Sequence, residues 1–232
     1  MTDFLVHDLG LRSYAEALSF QREVAAQRIN KAIPHDVLLL VEHPPVITLG
    51  RSTKEAHLLV SPEGLAARGV ELFEVERGGD VTFHGPGQLV GYPIVDLTEH
   101  KQDLHWYLRQ VEEVLIRAVA PFGIVAERIA GKTGIWTNGR KLASIGVHAR
   151  QWVTWHGFAL NVTTDLSYFD LMVPCGIADV EMTSVAAETA RNAGGTADAI
   201  PPALPRAVRE ALIAAWGEVF QRLPRPVDHL TV

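Results

Sequence analysis

With 232 residues, 47% of them hydrophobic and 21% charged, the chain has the makeup of a globular protein, which excludes disorder of the whole. A formal net charge of −6 argues against a general nucleic-acid binder, which would carry a basic excess. One cysteine permits no internal disulfide and fits a reducing compartment.

Ser13 is placed to cap a helix running through Tyr14, Ala17, Leu18 and Val24 toward Ile29, and Pro34 ends that stretch. Val37 to Val41 and Val46 to Leu49 are apolar runs of strand length on either side of Pro44-Pro45. Ser61-Pro62-Glu63 opens a short helix that Gly69 is placed to end. Val70 to Glu76, Val81 to His84 and Gln88 to Leu97 then read as strands. Asp103 caps the clearest helix, in which Leu104, Tyr107, Leu108, Val111, Val114, Leu115, Ala118 and Val119 share one stripe. Asn138-Gly139, between Ile135-Trp136-Thr137 and Leu142 to His148, is the best hairpin signal, and Trp152 to Val162 extends the meander. Arg191 to Pro205 reads as a flexible loop or linker, and Leu204, Val208, Leu212, Ala215 and Val219 give a final amphipathic helix. Runs of strands with few helices predict a single α+β domain with a large mixed, mainly antiparallel sheet flanked by helices.

The strongest local feature is the stretch from Arg77 to Gln88, with four glycines in twelve residues between two strand-like segments. Glycines allow a ligand or chain to approach the backbone, and the adjoining Arg77 and His84 suit a carbonyl, carboxylate or phosphate. The bland reading is a pair of tight turns. No Gly-Lys-Ser/Thr follows, so this is not a Walker-type phosphate loop. Lys141 follows the hairpin turn, where a lysine is ordinarily a solvated edge charge. Gly146 and Gly157 interrupt two strands, where glycine marks a bulge or a close approach. Cys175 lies between Pro174 and Gly176, on a constrained loop suited to holding a sulfur at a cleft. A lone cysteine is otherwise a small buried hydrophobe. A free thiol is only a few per cent thiolate at neutral pH, so a reactive one needs a neighbouring cation, for which Lys141 and His84 are the candidates. His148 and His156 read as satisfied polar residues, the ten histidines show no metal-binding spacing, and Gly-x-Ser-x-Gly is absent.

Taken together, residues 77–88, Gly139 to Val147, His156 to Asn161, Glu42 to Gly50 and Pro174-Cys175-Gly176-Ile177 resemble the octanoyltransferase family of lipoate biosynthesis. The resemblance covers roughly residues 4 to 190. It implies a fold similar to biotin and lipoate protein ligases, and an acyltransferase domain over 1–190, a linker over 191–205 and a C-terminal helix and tail over 206–232 packed on the same domain. It implies that Cys175 takes octanoate from octanoyl-acyl carrier protein as a thioester. The acceptor lysines would belong to lipoyl domains of 2-oxoacid dehydrogenase complexes and to glycine cleavage H protein. Lys141 occupies the family's lysine position, where it lowers the thiol pKa and transfers protons. Arg77, Gly78, Gly79, Asp80, Val81, Thr82, Phe83, His84, Ser144, Ile145, Gly146, Gly157, Phe158 and Ala159 fall on substrate-binding segments. Phe83 stands where the family has tyrosine, so no role rests on a hydroxyl there. Neither ATP nor metal is implied, nor a membrane or nucleic-acid partner.

Three alternatives stay open: an ATP-dependent lipoate or octanoate ligase, a Cys-His thioester hydrolase, and a non-catalytic acyl-carrier-binding protein. The N-terminus has no basic stretch followed by an apolar run, and Val37 to Val41 is too short to span a bilayer, so a cytoplasmic protein is expected.

Overall fold

Nine residues from Asp3 to Leu11 open the chain as a strand, β1, whose alternation puts Phe4 and Val6 inside. The computed structural model describes residues 3–176, 180–195 and 201–230. β1 pairs in parallel with β2 (Asp36–Glu42) on one side and with β11 (Leu223–Pro226) on the other. From β2 onward all pairings are antiparallel: β6 (Gln88–Ile94), β10 (Val153–Asn161), β9 (Arg140–Arg150), β8 (Lys132–Thr137) and β7 (Glu127–Ile129). The result is the expected large, mixed and mainly antiparallel sheet.

β2 shows how the sheet divides the interior. Val37, Leu39 and Val41 join the cluster under α1 (Tyr14–Ile29), whereas Leu38 and Leu40 join the cluster under α3 (Leu104–Val119) and α5 (Leu204–Phe220). α1 starts where Ser13 Oγ accepts the Glu16 N–H at 3.3 Å, and α3 where Asp103 Oδ1 accepts the Trp106 N–H at 3.0 Å. On α3 the stripe from Tyr107 to Val119 is buried against Leu212, Trp216 and Phe220 of α5, each large side chain contributing about 1.5–3 kcal/mol by leaving water. Leu104, placed on the same stripe by the sequence, stays 38% exposed at the helix start.

β3 (Val46–Leu49), β4 (Glu71–Glu74) and β5 (Thr82–His84) do not join the large sheet. They form a separate three-stranded sheet, β4 parallel and β5 antiparallel to β3, with its own cluster of Ile47, Leu65, Val81, Phe83, Phe169 and Met172. The short helix α2 (Pro62–Ala66) precedes β4, capped by Ser61. The expected linker is shorter than the sequence indicates. Arg191 and Asn192 finish a helix, α4 (Val185–Asn192), while Leu204 and Pro205 open α5; residues 196–200 of that stretch lie outside the described residues. Among the described residues no helix is long and apolar enough to cross a membrane.

Candidate active site

Asn138 (φ 49°) and Gly139 (φ 79°) make the two-residue turn between β8 and β9, with Thr137 facing Arg140. Immediately after, the register shifts between Ile135 and Trp136, a bulge at the start of β9. Residues three apart on a regular strand face opposite ways; the bulge breaks that rule and lets Lys141 and Ser144 reach the same sulfur. Lys141 Nζ lies 2.8 Å from Cys175 Sγ, and Ser144 Oγ 3.7 Å from it. The lysine backbone is clamped by Glu181 and Thr183, whose main chains bond it at 2.8 and 2.9 Å.

Lys141 is 1% exposed, and its amine also sits 5.4 Å over the Trp136 ring. A buried ammonium demands an anion or strong acceptors. No carboxylate reaches this one among the described residues, and the sulfur is its hydrogen-bond acceptor. Lys141 is therefore the opposite of a solvated edge charge.

Cys175 is half-buried on a 3-10 turn, Pro174–Gly176, with left-handed backbone (φ 56°, ψ 20°). That conformation costs a non-glycine residue about 1–3 kcal/mol and persists only where neighbours impose it. Its N–H donates to Val81 O at 3.0 Å. Proline before and glycine after do hold the thiol on a constrained loop at a cleft.

The cleft is a cavity of about 500 Å³ with walls from both faces of the sheet. Tyr14, Val90, Tyr92 and Ala159 belong to the α1 side, and Leu108, Ile145 and Phe158 to the α3 side. Of the residues singled out in the sequence, Arg77, Gly78, Gly79, Asp80, Thr82, His84, Lys141, Ser144, Ile145, Gly146, Gly157, Phe158, Ala159 and Cys175 line it. Val81 and Phe83 do not. Val81 packs in the small cluster and offers only its carbonyl to the cysteine loop, while the Phe83 ring stacks on Tyr168 at 4.5 Å. Sequence reasoning missed Tyr14, Tyr92, Leu104, Leu108 and Lys132 on the walls. The helical stripe marks Tyr14 as core, and nothing in the pattern tells a cavity wall from a filled interior.

Arg77 is a second buried basic residue in the wall. Its guanidinium is held by Thr48 O (2.8 Å), Thr48 Oγ1 (2.8 Å from Nη2) and Gly78 O (3.2 Å), with no carboxylate on it among the described residues. Burial pushes its pKa down. His84 is no imidazolium. Burial, then His43 and Arg77, push its pKa down to about 3 despite the bond between its Nδ1 and Gln88 Oε1 (2.9 Å). His43 and His156 are pushed down to about 4, burial first. Of the two cations proposed from sequence, only Lys141 lies beside the sulfur. No group of three or more metal-ligating side chains is gathered among the described residues.

Gly146 shows why the strand breaks its apolar run. A Cβ there would lie 2.7 Å from Gly78 O and 3.1 Å from Arg77 Cδ, while Gly78 N–H donates to Val147 O at 2.9 Å. The glycine lets the Arg77–Gly79 turn lie against β9. Gly146→Ala is expected to push that turn away, costing about 1–3 kcal/mol of stability by overpacking and slowing alkylation of Cys175. Thermal melting and iodoacetamide kinetics check it; wild-type values in both would show that the turn has room to spare.

The chain has relatives. Residues 13–202 match the lipoyl protein ligase A/B catalytic domain. An octanoyltransferase of Chloroflexus aurantiacus is 49% identical over 228 residues, 97% of both chains. The chain belongs to this family. An octanoyltransferase of Gloeobacter violaceus is 53% identical over 173 residues, 75% of this chain and 76% of that one. Among solved structures, lipoate-protein ligase A bound with ATP superposes with TM-score 0.75 at 16% identity, covering 99% of this chain and 90% of that one. A bipartite lipoate protein ligase from Thermoplasma acidophilum gives 0.70 at 14% identity, covering 99% and 88%. These two share the fold of the lipoyl protein ligase A/B family and carry nothing further at such identity.

Proposed function

We propose that this protein transfers an octanoyl group from octanoyl-acyl carrier protein to the target lysine of a lipoyl domain, through an S-octanoyl intermediate on Cys175. The observation that carries the reading is Lys141 Nζ at 2.8 Å from Cys175 Sγ, on the wall of an acyl-sized cavity. The Cys175 thiolate, held by the Lys141 ammonium, attacks the donor thioester carbonyl. The carbon–sulfur bond to the carrier breaks, and the departing thiolate takes the Lys141 proton. In the second half the neutral acceptor amine attacks S-octanoyl-Cys175. Its surplus proton passes to the now neutral Lys141, and the cysteine leaves as thiolate, restoring the starting pair. Atoms and charge balance over the two steps.

The donor thioester is already activated, so the reaction as written consumes no ATP and calls on no metal. Thioester exchange is nearly balanced, and the final amide draws the sequence forward. Burying the eight-carbon chain would contribute on the order of 5 kcal/mol at about 0.8 kcal/mol per CH₂. Arg77, Gly78, Gly79, Asp80, Thr82, His84, Ser144, Ile145, Gly146, Gly157, Phe158 and Ala159 are the substrate-binding residues on this reading, since all line the cavity. The acceptors are the lipoyl domains of 2-oxoacid dehydrogenase complexes and glycine cleavage H protein, and the setting is the cytoplasm.

Intact-protein mass spectrometry tests the whole sequence. Mixing with octanoyl carrier is expected to add one octanoyl group to the enzyme, and a lipoyl domain added next is expected to remove it and gain it. Free octanoate released without acceptor would make the protein a hydrolase. ATP-dependent ligation of free octanoate or lipoate, undisturbed by Cys175→Ala, would make it a ligase.

A further inference from the structure

The loop carrying Cys175 is held by two segments that are themselves joined by one hydrogen bond. On one side, His57 O accepts the Val173 N–H at 2.8 Å; on the other, Val81 O accepts the Cys175 N–H at 3.0 Å. His57 lies at the end of a 3-10 turn, Glu55–His57, and Asp80 stands next to Val81, whose N–H its Oδ1 accepts at 2.7 Å. The two flanks meet in the contact between His57 Nδ1 and Asp80 Oδ2, 2.7 Å long, with both side chains mostly buried.

The contact lies directly against the residue after the nucleophile. A Cβ on Gly176 would collide with Asp80 Oδ2 and come within 2.8 Å of His57 Cε1 and 3.0 Å of His57 Nδ1. Gly176 itself has φ +64°, so two consecutive residues, Cys175 and Gly176, hold the left-handed conformation. Such backbone does not persist unaided, and the His57–Asp80 bridge is what packs against its turn. Neither residue bonds the sulfur: the pair acts through the backbone.

We infer that His57 and Asp80 form a positioning latch that keeps Cys175 in its left-handed turn, with Sγ against Lys141. Asp80 lines the cavity, so the latch has a second effect. Donation from His57 fixes the carboxylate against residue 176 and so holds one polar group of the cavity wall in place. Without the latch the turn relaxes and the sulfur spends part of its time away from the amine, although the apolar wall of Ile145, Phe158 and Ala159 is no part of the latch. The loss then falls on turnover more than on donor binding.

The alkylation part stands on geometry alone, and the turnover part rests on the proposed acyl transfer. His57→Ala and His57→Gln are each assayed by the rate of Cys175 alkylation with iodoacetamide and by kcat and KM with octanoyl carrier. Thermal melting controls for the fold. His57→Ala is expected to slow alkylation and lower kcat roughly 10-fold or more, with KM within about 3-fold, since a misplacement near 1 Å costs up to about 100-fold. His57→Gln retains an N–H donor and is expected to recover most of both. Wild-type alkylation and kcat in His57→Ala would overturn the latch, as would an equal loss in the glutamine variant at an unchanged melting temperature. If the wild-type protein transfers no octanoate while His57→Ala still slows alkylation, the acyl-transfer reading fails and the latch survives.

Discussion

Cys175→Ala is expected to abolish both the covalent octanoyl adduct and transfer to the acceptor, while carrier binding persists. The residue is half-buried, so the truncation removes a sulfur at a cleft and leaves little cavity behind it in a packed core. The cost in stability is therefore small, and the cost in rate is the entire covalent route. Direct attack by the acceptor amine on the carrier thioester would need two proteins at one site at once, which the intermediate avoids. Cys175→Ser is expected to come close to the same null phenotype, because a hydroxyl offers no comparable anion at neutral pH for the Lys141 ammonium to hold. A stopped acyl-carrier assay with mass readout separates the cases. Transfer by the alanine variant at even a tenth of the wild-type rate would mean that the sulfur is not the acyl carrier.

How much of this was legible in the sequence depends on the range of the signal. Caps and turns are local, so Ser13, Ser61, Asp103 and Asn138-Gly139 marked their elements correctly. β11 left no signal: Leu223–Pro226 is exposed along its length and carries two prolines, which only an edge strand tolerates. β1 left only a faint one: Phe4 and Val6 alternate inward, but His7 and Asp8 interrupt the apolar run after them. The β8–β9–β10 meander was legible from its hairpin turn, but pairing between strands distant in sequence was not, and nothing announced the split of β3, β4 and β5 into a second sheet. Glu112 is a different failure. It is fully buried on α3, held by Arg109, Arg128 and the Gly134 N–H, partners that no helical periodicity announces.

At the site, residue types were legible and their states were not. Cys175 and Lys141 are 34 positions apart; the residues alone offered Lys141 and His84 equally as its cation, and it was resemblance that singled out the lysine. His84 looked like a cation donor because an unperturbed imidazole titrates near neutrality. Its complete burial beside His43 and Arg77 reverses that, and the sequence holds no trace of that surrounding. His57 escaped notice for the opposite reason: its neighbours Ala56 and Leu58 are ordinary, and its partner Asp80 lies 23 positions on.

Lys141→Ala is expected to lower acyl transfer by roughly 10²–10⁴-fold, the range lost with a positioned acid–base group. On the proposed mechanism two contributions disappear together. The ammonium that holds the thiolate is gone, which slows attack, and the proton owed to the departing carrier thiol has no local source. Iodoacetamide senses only the first, because alkylation of a thiolate delivers no proton to a leaving thiol from the enzyme. The alkylation rate should therefore fall by less than the transfer rate, and the ratio of the two falls isolates proton transfer. A small alkylammonium added in solution can occupy the space left by the side chain and supply both, so partial rescue of Lys141→Ala with increasing amine is expected, while Cys175→Ala stays inert. The substitution also removes a buried side chain whose amine meets the Trp136 ring and the sulfur, so a melting curve must accompany the kinetics. A folded Lys141→Ala that passes octanoate at the wild-type rate would remove this amine from the chemistry, whatever its distance from the sulfur.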